Sequence, residues 1–222
     1  MKTLRKINQI GTVAYVSGIP YLPEKFLASY SQMREYNALH LGSVYYTRET
    51  SSWIPRARNE ITGQIRGDWL FFLDTDLTFD PDCLEQMLRI MNKYEAPVVT
   101  GFYVQKKKPH LPILSSWNEE KKVYEIVTRW PKDCEIFQVD GAGAGCLLVK
   151  KFVFDLIASK LKENPFDCMG LMSEDMSFFS RLRKLGVGVY CAPQIKFGHL
   201  TTSELTYDVD ELKGIKLRGY TR

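Results

Sequence analysis

The sequence predicts an α/β fold in which a mostly parallel central sheet is flanked by helices, and in which residues 1–222 form a single domain. Three observations support this prediction. Short β-rich runs alternate with helical patterns through the first half of the chain, as in parallel sheets with right-handed crossovers. Residues 69–73 are five consecutive large apolar residues, which is typical of a strand buried on both faces. No internal repeat or linker marks a second domain.

The elements of the first half follow one another regularly. Strands are predicted at residues 12–17, 43–47, 69–73 and 97–103. Helix-start signals, either a capping side chain or a first-turn proline, occur at Pro23, at Ser51 or Ser52, and at Asp80-Pro81. The second of these helices is expected to run to about Arg66 and to be stopped by Gly67.

The second half does not continue the alternation of strands and helices, because two short strands predicted at residues 123–128 and 136–139 have no helix between them. The sheet is therefore expected to be mixed in this region. The remaining elements are predicted in this order: a strand at 146–149, a helix at 152–161, an irregular loop at 164–172, a helix at 174–185 capped by Ser173 and ended by Gly186, and a strand at 187–192.

The composition narrows the class of protein. A net charge of +4 is too small to indicate nucleic-acid binding by itself. The five cysteines include no C-x-x-C pair, which favours free thiols in a reducing compartment over a disulfide framework or a zinc site. Neither a signal peptide nor an apolar run of membrane-spanning length is evident. A cytoplasmic location is expected, with peripheral membrane attachment as the open alternative.

The apolar run at 69–73 leads into two carboxylates, Asp74 and Asp76. Side chains alternate along a strand, so both carboxylates leave on the same face, at the carboxyl end where α/β sheets bind ligands. Two neighbouring negative charges repel unless a cation lies between them, and Mg²⁺ or Mn²⁺ prefers such oxygen ligands. The alternative is an Asx-turn with a helix cap.

The glycine-rich stretch at residues 141–145 does not match a dinucleotide-binding motif, since Cys146 occupies the place of the third glycine and a strand follows. Gly143 and Gly145 instead allow the backbone to approach a ligand or another strand closely. A purely structural bend is an equal alternative.

Two acidic residues open the helix predicted at 174–185. Asp175 shares a helix face with apolar residues that should pack inward, whereas Glu174 points about a quarter turn away. Favourable interaction with the helix dipole explains an acidic residue at this end. Its position on the apolar face also suits a general base that faces a cleft.

Several other polar residues are weaker candidates. Arg58 and Asn59 lie near the start of a helix, where an arginine can bind phosphate or be solvated. His199 follows the last predicted strand, and a lone histidine is more often structural than a ligand. His110, beside Lys106–Lys108, would suit an anionic ligand, although a solvated basic loop is the default interpretation.

In their order along the chain, these motifs resemble the GT-A glycosyltransferases, most closely the family 2-like members. The motifs are Arg58-Asn59, Asp74-Thr75-Asp76, the glycines at 141–145, Glu174-Asp175 and His199. The resemblance spans about residues 12–199. It implies a nucleotide-sugar-binding half at about 10–108, an acceptor and catalytic half at about 109–200, and a C-terminal tail at 201–222.

The resemblance also implies roles for individual residues. Asp76 would bind the divalent metal directly with His199, while Asp74 would hold the donor ribose or the metal through water. Asp175 would deprotonate the acceptor hydroxyl, with Glu174 in support. The remaining donor-binding positions implied are Ser17, Gly18, Glu49, Arg58, Asn59, Thr75, Gly143 and Gly145.

We therefore expect a hexosyltransferase-type enzyme that uses Mn²⁺ or Mg²⁺ and a UDP- or GDP-sugar. Inversion of configuration is expected because Asp175 offers a base, with retention, which occurs on the same scaffold, as the open alternative. The acceptor stays open among a saccharide, a glycolipid, a protein and a modified nucleic-acid base. No Q-x-x-R-W motif is present, which argues against a processive synthase. A nucleotidyltransferase and a catalytically silent nucleotide-sugar-binding protein are the alternatives.

Overall fold

The computed structural model describes residues 10–18, 21–201 and 204–205. The helices are α1 (Glu24–His40), α2 (Ile54–Thr62), α3 (Cys83–Lys93), α4 (Lys151–Leu161) and α5 (Glu174–Lys184). The strands are β1 (Gly11–Ser17), β2 (Val44–Thr50), β3 (Trp69–Asp74), β4 (Leu77–Phe79), β5 (Val98–Phe102), β6 (Leu114–Asn118), β7 (Val123–Ile126), β8 (Phe137–Val139), β9 (Gly141–Ala142), β10 (Cys146–Lys150), β11 (Val189–Leu200) and β12 (Glu204–Leu205). Among these helices, none has both the length and the apolar character needed to cross a membrane.

The central sheet has the strand order β12-β11-β5-β10-β3-β1-β2. The four strands predicted in the first half, now β1, β2, β3 and β5, run in one direction. β10 lies between β3 and β5 and is antiparallel to both, with Leu147 opposite Phe72 and Thr100. The α/β fold with a mostly parallel sheet is confirmed, and the two halves of the chain share that sheet.

A smaller antiparallel sheet with the order β7-β6-β9 lies in the second half. β8 does not join it and pairs with β11 instead. The prediction of a mixed second half is therefore confirmed. β6 and β9 were not predicted, because β6 is largely polar and β9 has only two residues, so neither carries an alternating apolar pattern.

The last strand of the central sheet is longer than predicted. β11 first pairs with β5, shows an irregularity between Cys191 and Lys196, and then pairs with β4, where His199 lies opposite Leu77. The prediction that His199 follows the strand is wrong. Pro193 interrupts the apolar pattern, but it lies within the irregularity, where a missing N–H does not end a strand.

Two helices begin later than predicted. The N-cap of α2 is Trp53, whose backbone N–H donates to the Ser51 hydroxyl (3.0 Å) in the turn before the helix. The N-cap of α3 is Asp82, and Asp80-Pro81 precede it. Both errors have one cause, since serine and aspartate favour turns as strongly as helix caps.

Two glycines, Gly67 and Gly186, have a positive φ that residues with a side chain rarely adopt. α2 ends at Thr62, before the predicted stop, and Gly67 instead adopts φ +94° in the turn into β3, where a Cβ would lie 2.0 Å from the Ile10 carbonyl oxygen. Gly186 adopts φ +67° after α5, in agreement with its predicted role as a helix stop.

β3 is buried on both faces, as predicted. Trp69, Phe71 and Leu73 pack in a core with α1 and α3, whereas Leu70 and Phe72 pack in a second core with α2, α4 and α5. Each of these side chains is at most 1% exposed. By alternation Asp74 continues the face of Leu70 and Phe72, so it leaves the sheet toward α2.

Candidate active site

Asp74 is held at the end of β3 by groups from two other parts of the chain. Its backbone N–H donates to the Gly145 carbonyl (2.8 Å), and its carboxylate accepts from Arg58 Nη2 (2.8 Å). The carboxylate lies so close to the glycine stretch that a Cβ on Gly145 would be 2.8 Å from Asp74 Oδ2. The glycine stretch therefore permits a close approach of β3, which is the role that its composition predicted.

Arg58, on α2, contacts three other elements of the site: the end of β3, the glycine stretch and the start of α5. It is 4% exposed, and its Nη1 donates to the Ala144 carbonyl (3.2 Å) while its Nε lies 3.5 Å from Glu174 Oε1. Burial disfavours its charge, but Asp74, Glu174 and Asp175 outweigh burial and raise the pKa of the guanidinium. Arg58 was predicted to contact the donor. Its observed partners are protein groups that it positions.

Removing Arg58 should destabilise the protein strongly. We expect Arg58→Met to lower the free energy of unfolding by about 2–4 kcal/mol, because Asp74 and the Ala144 carbonyl lose their partner. Arg56→Met is the matched control, since Arg56 is exposed on the same helix and its i,i+4 pair with Glu60 is screened by solvent, so its loss should change the free energy of unfolding very little. Urea denaturation measures both, and equal losses would contradict the assignment.

Asp76 lies at the centre of a second charged group. Its Oδ2 is contacted by Lys106 Nζ and lies 3.4 Å from His199 Nε2. The backbone fixes this geometry, because the Leu200 N–H donates to the Asp76 carbonyl (2.7 Å). Burial opposes ionisation, but hydrogen bonds from His199 and Lys106 outweigh it and lower the pKa of Asp76 to about 2. The carboxylate is therefore ionised at neutral pH.

The orientation of His199 fits a cation at this position. Its Nδ1 lies 2.7 Å from the Val104 carbonyl, which can only accept, so Nδ1 carries the hydrogen. A protonated ring donates from Nε2 to Asp76 Oδ2, which is the hydrogen bond that lowers the pKa of that carboxylate, whereas a neutral ring presents a lone pair there. Two acceptors that face each other are compatible when a cation lies against both, and metal-binding histidines use their other nitrogen in this way.

The three predicted metal ligands, Asp74, Asp76 and His199, do not converge on one position. Asp76 and His199 approach each other, whereas Asp74 is paired with Arg58. Across the described parts of the chain, no group of three or more histidine, cysteine, aspartate or glutamate side chains is arranged to hold a metal ion. Within the part of the chain that the structure describes, the site thus offers two ligands, and a bound ion would need further oxygens from substrate or water.

The start of α5 brings two carboxylates to the same region. Asp175 Oδ1 accepts from the Ser173 hydroxyl and from the Met176 N–H (2.8 Å), and Ser173 caps the helix as predicted. Glu174 faces Arg58 with its side chain 19% exposed. The apolar face of α5 is buried, with Phe178 fully covered, as predicted. Glu174 is therefore anchored, while one oxygen of Asp175 carries both of these hydrogen bonds.

Sequence reasoning missed Tyr103, which links the two charged groups. Its hydroxyl accepts from the Gly145 N–H (3.3 Å), and its ring packs edge-on against His199 with centroids 5.5 Å apart. Burial, followed by the nearby Cys146, Asp74 and Asp175, raises its pKa well above the usual range. Its place at the exit of a predicted strand was the available signal.

The sequence indicates only that Lys106 belongs to a basic loop, and it does not predict that Lys106 contacts the site. The structure brings its ammonium to Asp76, which is 30 positions earlier in the chain. The signal for this contact was weak, because a lysine in a polar loop is ordinarily solvated.

The ends of β1 and β2 lie beside Asp74. Val16 pairs with Asp74 on one side and with Glu49 on the other, and Ser17 follows it. The Glu49 carboxylate accepts from the Gln64 side chain, and Gly18 is exposed. Thr75 lies in the turn after β3. These predicted donor-binding residues therefore share the carboxyl edge of the sheet, while residues 19–20, which follow Gly18, lie outside the described residues.

Asn59 anchors the loop at residues 164–172. Its Nδ2 donates to Asp167 Oδ1 (2.7 Å), and its Oδ1 accepts from the Phe166 N–H (2.9 Å). Arg181 also donates to the Asp167 carbonyl (2.8 Å). The first part of the loop is thus tied down. Leu171, close to α5, is fully exposed.

Comparison with known proteins gives the context of this site. Residues 28–146, more than half of the chain, match the family described as Glycosyl transferase family 2. No curated protein matches the sequence.

Two solved structures have a similar fold. A197 from STIV has a TM-score of 0.55 and 18% identity, and the match covers 86% of this chain and 85% of that protein. GalNAc-T7, solved with UDP, GalNAc and Mn²⁺, has a TM-score of 0.54 and 15% identity, and the match covers 89% of this chain but 44% of that protein. Both likenesses concern the fold alone.

Proposed function

We propose a specific reaction for this chain, which belongs to glycosyl transferase family 2. It transfers a sugar from a nucleotide-sugar donor to an acceptor hydroxyl, with a divalent cation and with inversion at the transferred carbon. The solved GalNAc-T7 structure, which contains UDP, GalNAc and Mn²⁺, supports a UDP-sugar and Mn²⁺ as the first donor and cation to test.

The observation that carries the proposal is the separation of two sets of charges at one edge of the sheet. Asp76, His199 and Lys106 form one set, and Glu174 and Asp175 form the other. The first set suits the diphosphate that departs, and the second suits the hydroxyl that attacks. Tyr103 packs against His199 and feels the charge of Asp175, which supports a single reaction centre bordered by both sets.

The donor set would hold the cation through Asp76 and His199, with the diphosphate oxygens completing its shell. A bound divalent ion supplies Lewis-acid stabilisation of the negative charge on the leaving diphosphate. Asp74 lies opposite Val16, beside the strand ends that carry Ser17 and Glu49, where it would bind the ribose while Arg58 keeps it in place.

The acceptor set performs the proton transfer. Asp175 Oδ1 is engaged by Ser173 and the Met176 N–H, so Oδ2 is the atom we assign to the acceptor hydroxyl. The acceptor oxygen forms a bond to the anomeric carbon, the bond to the diphosphate oxygen breaks, and the proton passes to Asp175. Glu174 and Arg58 hold the start of α5 against the glycine stretch.

A panel of UDP- and GDP-sugars tests the donor and the metal together. A donor present at 100 times its dissociation constant should stabilise the protein by about 2.7 kcal/mol, which thermal unfolding detects. We expect this stabilisation with Mn²⁺ and its loss in EDTA. Transfer at full rate in EDTA would refute the metal requirement, and an α-linked product from an α-linked donor would refute inversion.

A further inference from the structure

The proposed reaction places Lys106 near the departing diphosphate but does not explain why its ammonium lies on the carboxylate that would hold the metal. Its ammonium contacts Asp76 Oδ2, the same oxygen that faces His199 Nε2 at 3.4 Å. Both side chains of the ion pair are only partly exposed, at 43% for Lys106 and 38% for Asp76. The cation that lies at this oxygen in the structure is therefore one that the protein itself supplies.

The loop that carries Lys106 is braced at its base. The Gln105 N–H donates to the Leu111 carbonyl (2.8 Å), and His110 lies 6% exposed with its Nδ1 3.0 Å from the Gln105 carbonyl. Val104, at the start of this loop, also holds His199 through its carbonyl. The same stretch of backbone thus positions both Lys106 and His199 at Asp76.

A lysine and a divalent ion compete for this carboxylate. A metal bound to Asp76 Oδ2 and His199 Nε2 would lie within a few ångströms of the ammonium, and two cations at that separation repel each other strongly. The lysine side chain is a flexible chain of four carbons, so its ammonium can move away from Asp76 while the braced backbone stays in place. The diphosphate, which must lie next to the metal, is the nearest anion that it can then reach.

We propose that Lys106 is an exchangeable cation of the active site. It neutralises Asp76 in the free enzyme, yields that carboxylate to the divalent ion, and then donates to the diphosphate of the donor. This inference rests on the proposed function. It adds a further residue that stabilises the leaving group, and it makes Lys106 a residue that recognises the diphosphate and not the sugar or the base.

The proposal predicts opposite effects of one substitution on two ligands. In Lys106→Met, Mn²⁺ without nucleotide should bind about three- to tenfold more tightly, because a competing positive charge is removed. In saturating Mn²⁺, UDP and GDP should bind about three- to tenfold more weakly, because a charge-assisted contact to the diphosphate is lost. Lys107→Met is the matched control, since Lys107 is the next residue, is exposed and carries the same charge.

Titration of Mn²⁺ followed by electron paramagnetic resonance, and titration of UDP and GDP by calorimetry, measure these effects without relying on turnover. Tighter Mn²⁺ and weaker nucleotide binding in Lys106→Met alone would support the exchange. Equal changes in Lys107→Met would reduce the effect to general electrostatics and overturn it. If the wild type binds Mn²⁺ and Lys106→Met binds it no more tightly, only the role of Lys106 fails. If neither protein binds Mn²⁺, the proposed metal site fails as well.

Discussion

Asp76→Asn should reduce donor turnover by about 10²–10³-fold, which is the cost of losing one precisely placed group that stabilises developing charge. The substitution keeps the shape of the side chain and removes the charge that faces His199 and Lys106. Binding of Mn²⁺ should weaken in parallel. Release of nucleoside diphosphate measures the rate, and Mn²⁺ titration measures the affinity.

Asp155→Asn is the matched control for this experiment. Asp155 also pairs with a lysine, Lys151, at 2.8 Å, but it lies on the exposed face of α4. We expect its turnover to equal that of the wild type. Turnover in Asp76→Asn within threefold of the control would remove Asp76 from the donor site, whatever the metal affinity shows.

Asp175→Asn should lower kcat by about 10²–10⁴-fold, the usual contribution of a general base, and leave the KM for the donor nearly unchanged. The side chain keeps its volume, and an amide oxygen can still accept from the Ser173 hydroxyl and the Met176 N–H. Initial rates at saturating acceptor, together with the melting temperature, separate a lost base from a lost helix cap.

The control for Asp175 must remove an acid from a helix start without touching the site. Glu24→Gln does this, because Glu24 is an exposed acid in the first turn of α1. Both substitutions should cost about 0.3–1 kcal/mol through the helix dipole, but only Asp175→Asn should lose rate. A kcat for Asp175→Asn above one tenth of wild type would assign proton transfer to another group.

The candidate active site shows which positions could be predicted locally. The placement of Asp74 and Asp76 at the end of a buried strand was predictable because an apolar run followed by two alternating carboxylates is a local signal, and β3 has the predicted burial on both faces. Ser173 and Asp175 were found for the same reason, as cap and first turn of a helix. By contrast, the second part of β11 was not predicted. Pro193 interrupts the apolar pattern soon after the strand begins, and the strand resumes its pairing only after the irregularity between Cys191 and Lys196.

The sequence by itself determined the α/β class, the buried strand that ends in Asp74 and Asp76, and the acidic start of α5, because each depends on neighbours along the chain. Only the tertiary structure decided that β10 runs antiparallel between β3 and β5, that Arg58 lies beneath Asp74, and that Lys106 meets Asp76. These features depend on the order of strands and the path of loops, which bring together residues far apart in the chain. Asp74 and Asp76, nearly identical in sequence context, thereby acquire different partners. Arg58 holds Asp74, whereas Lys106 and His199 contact Asp76.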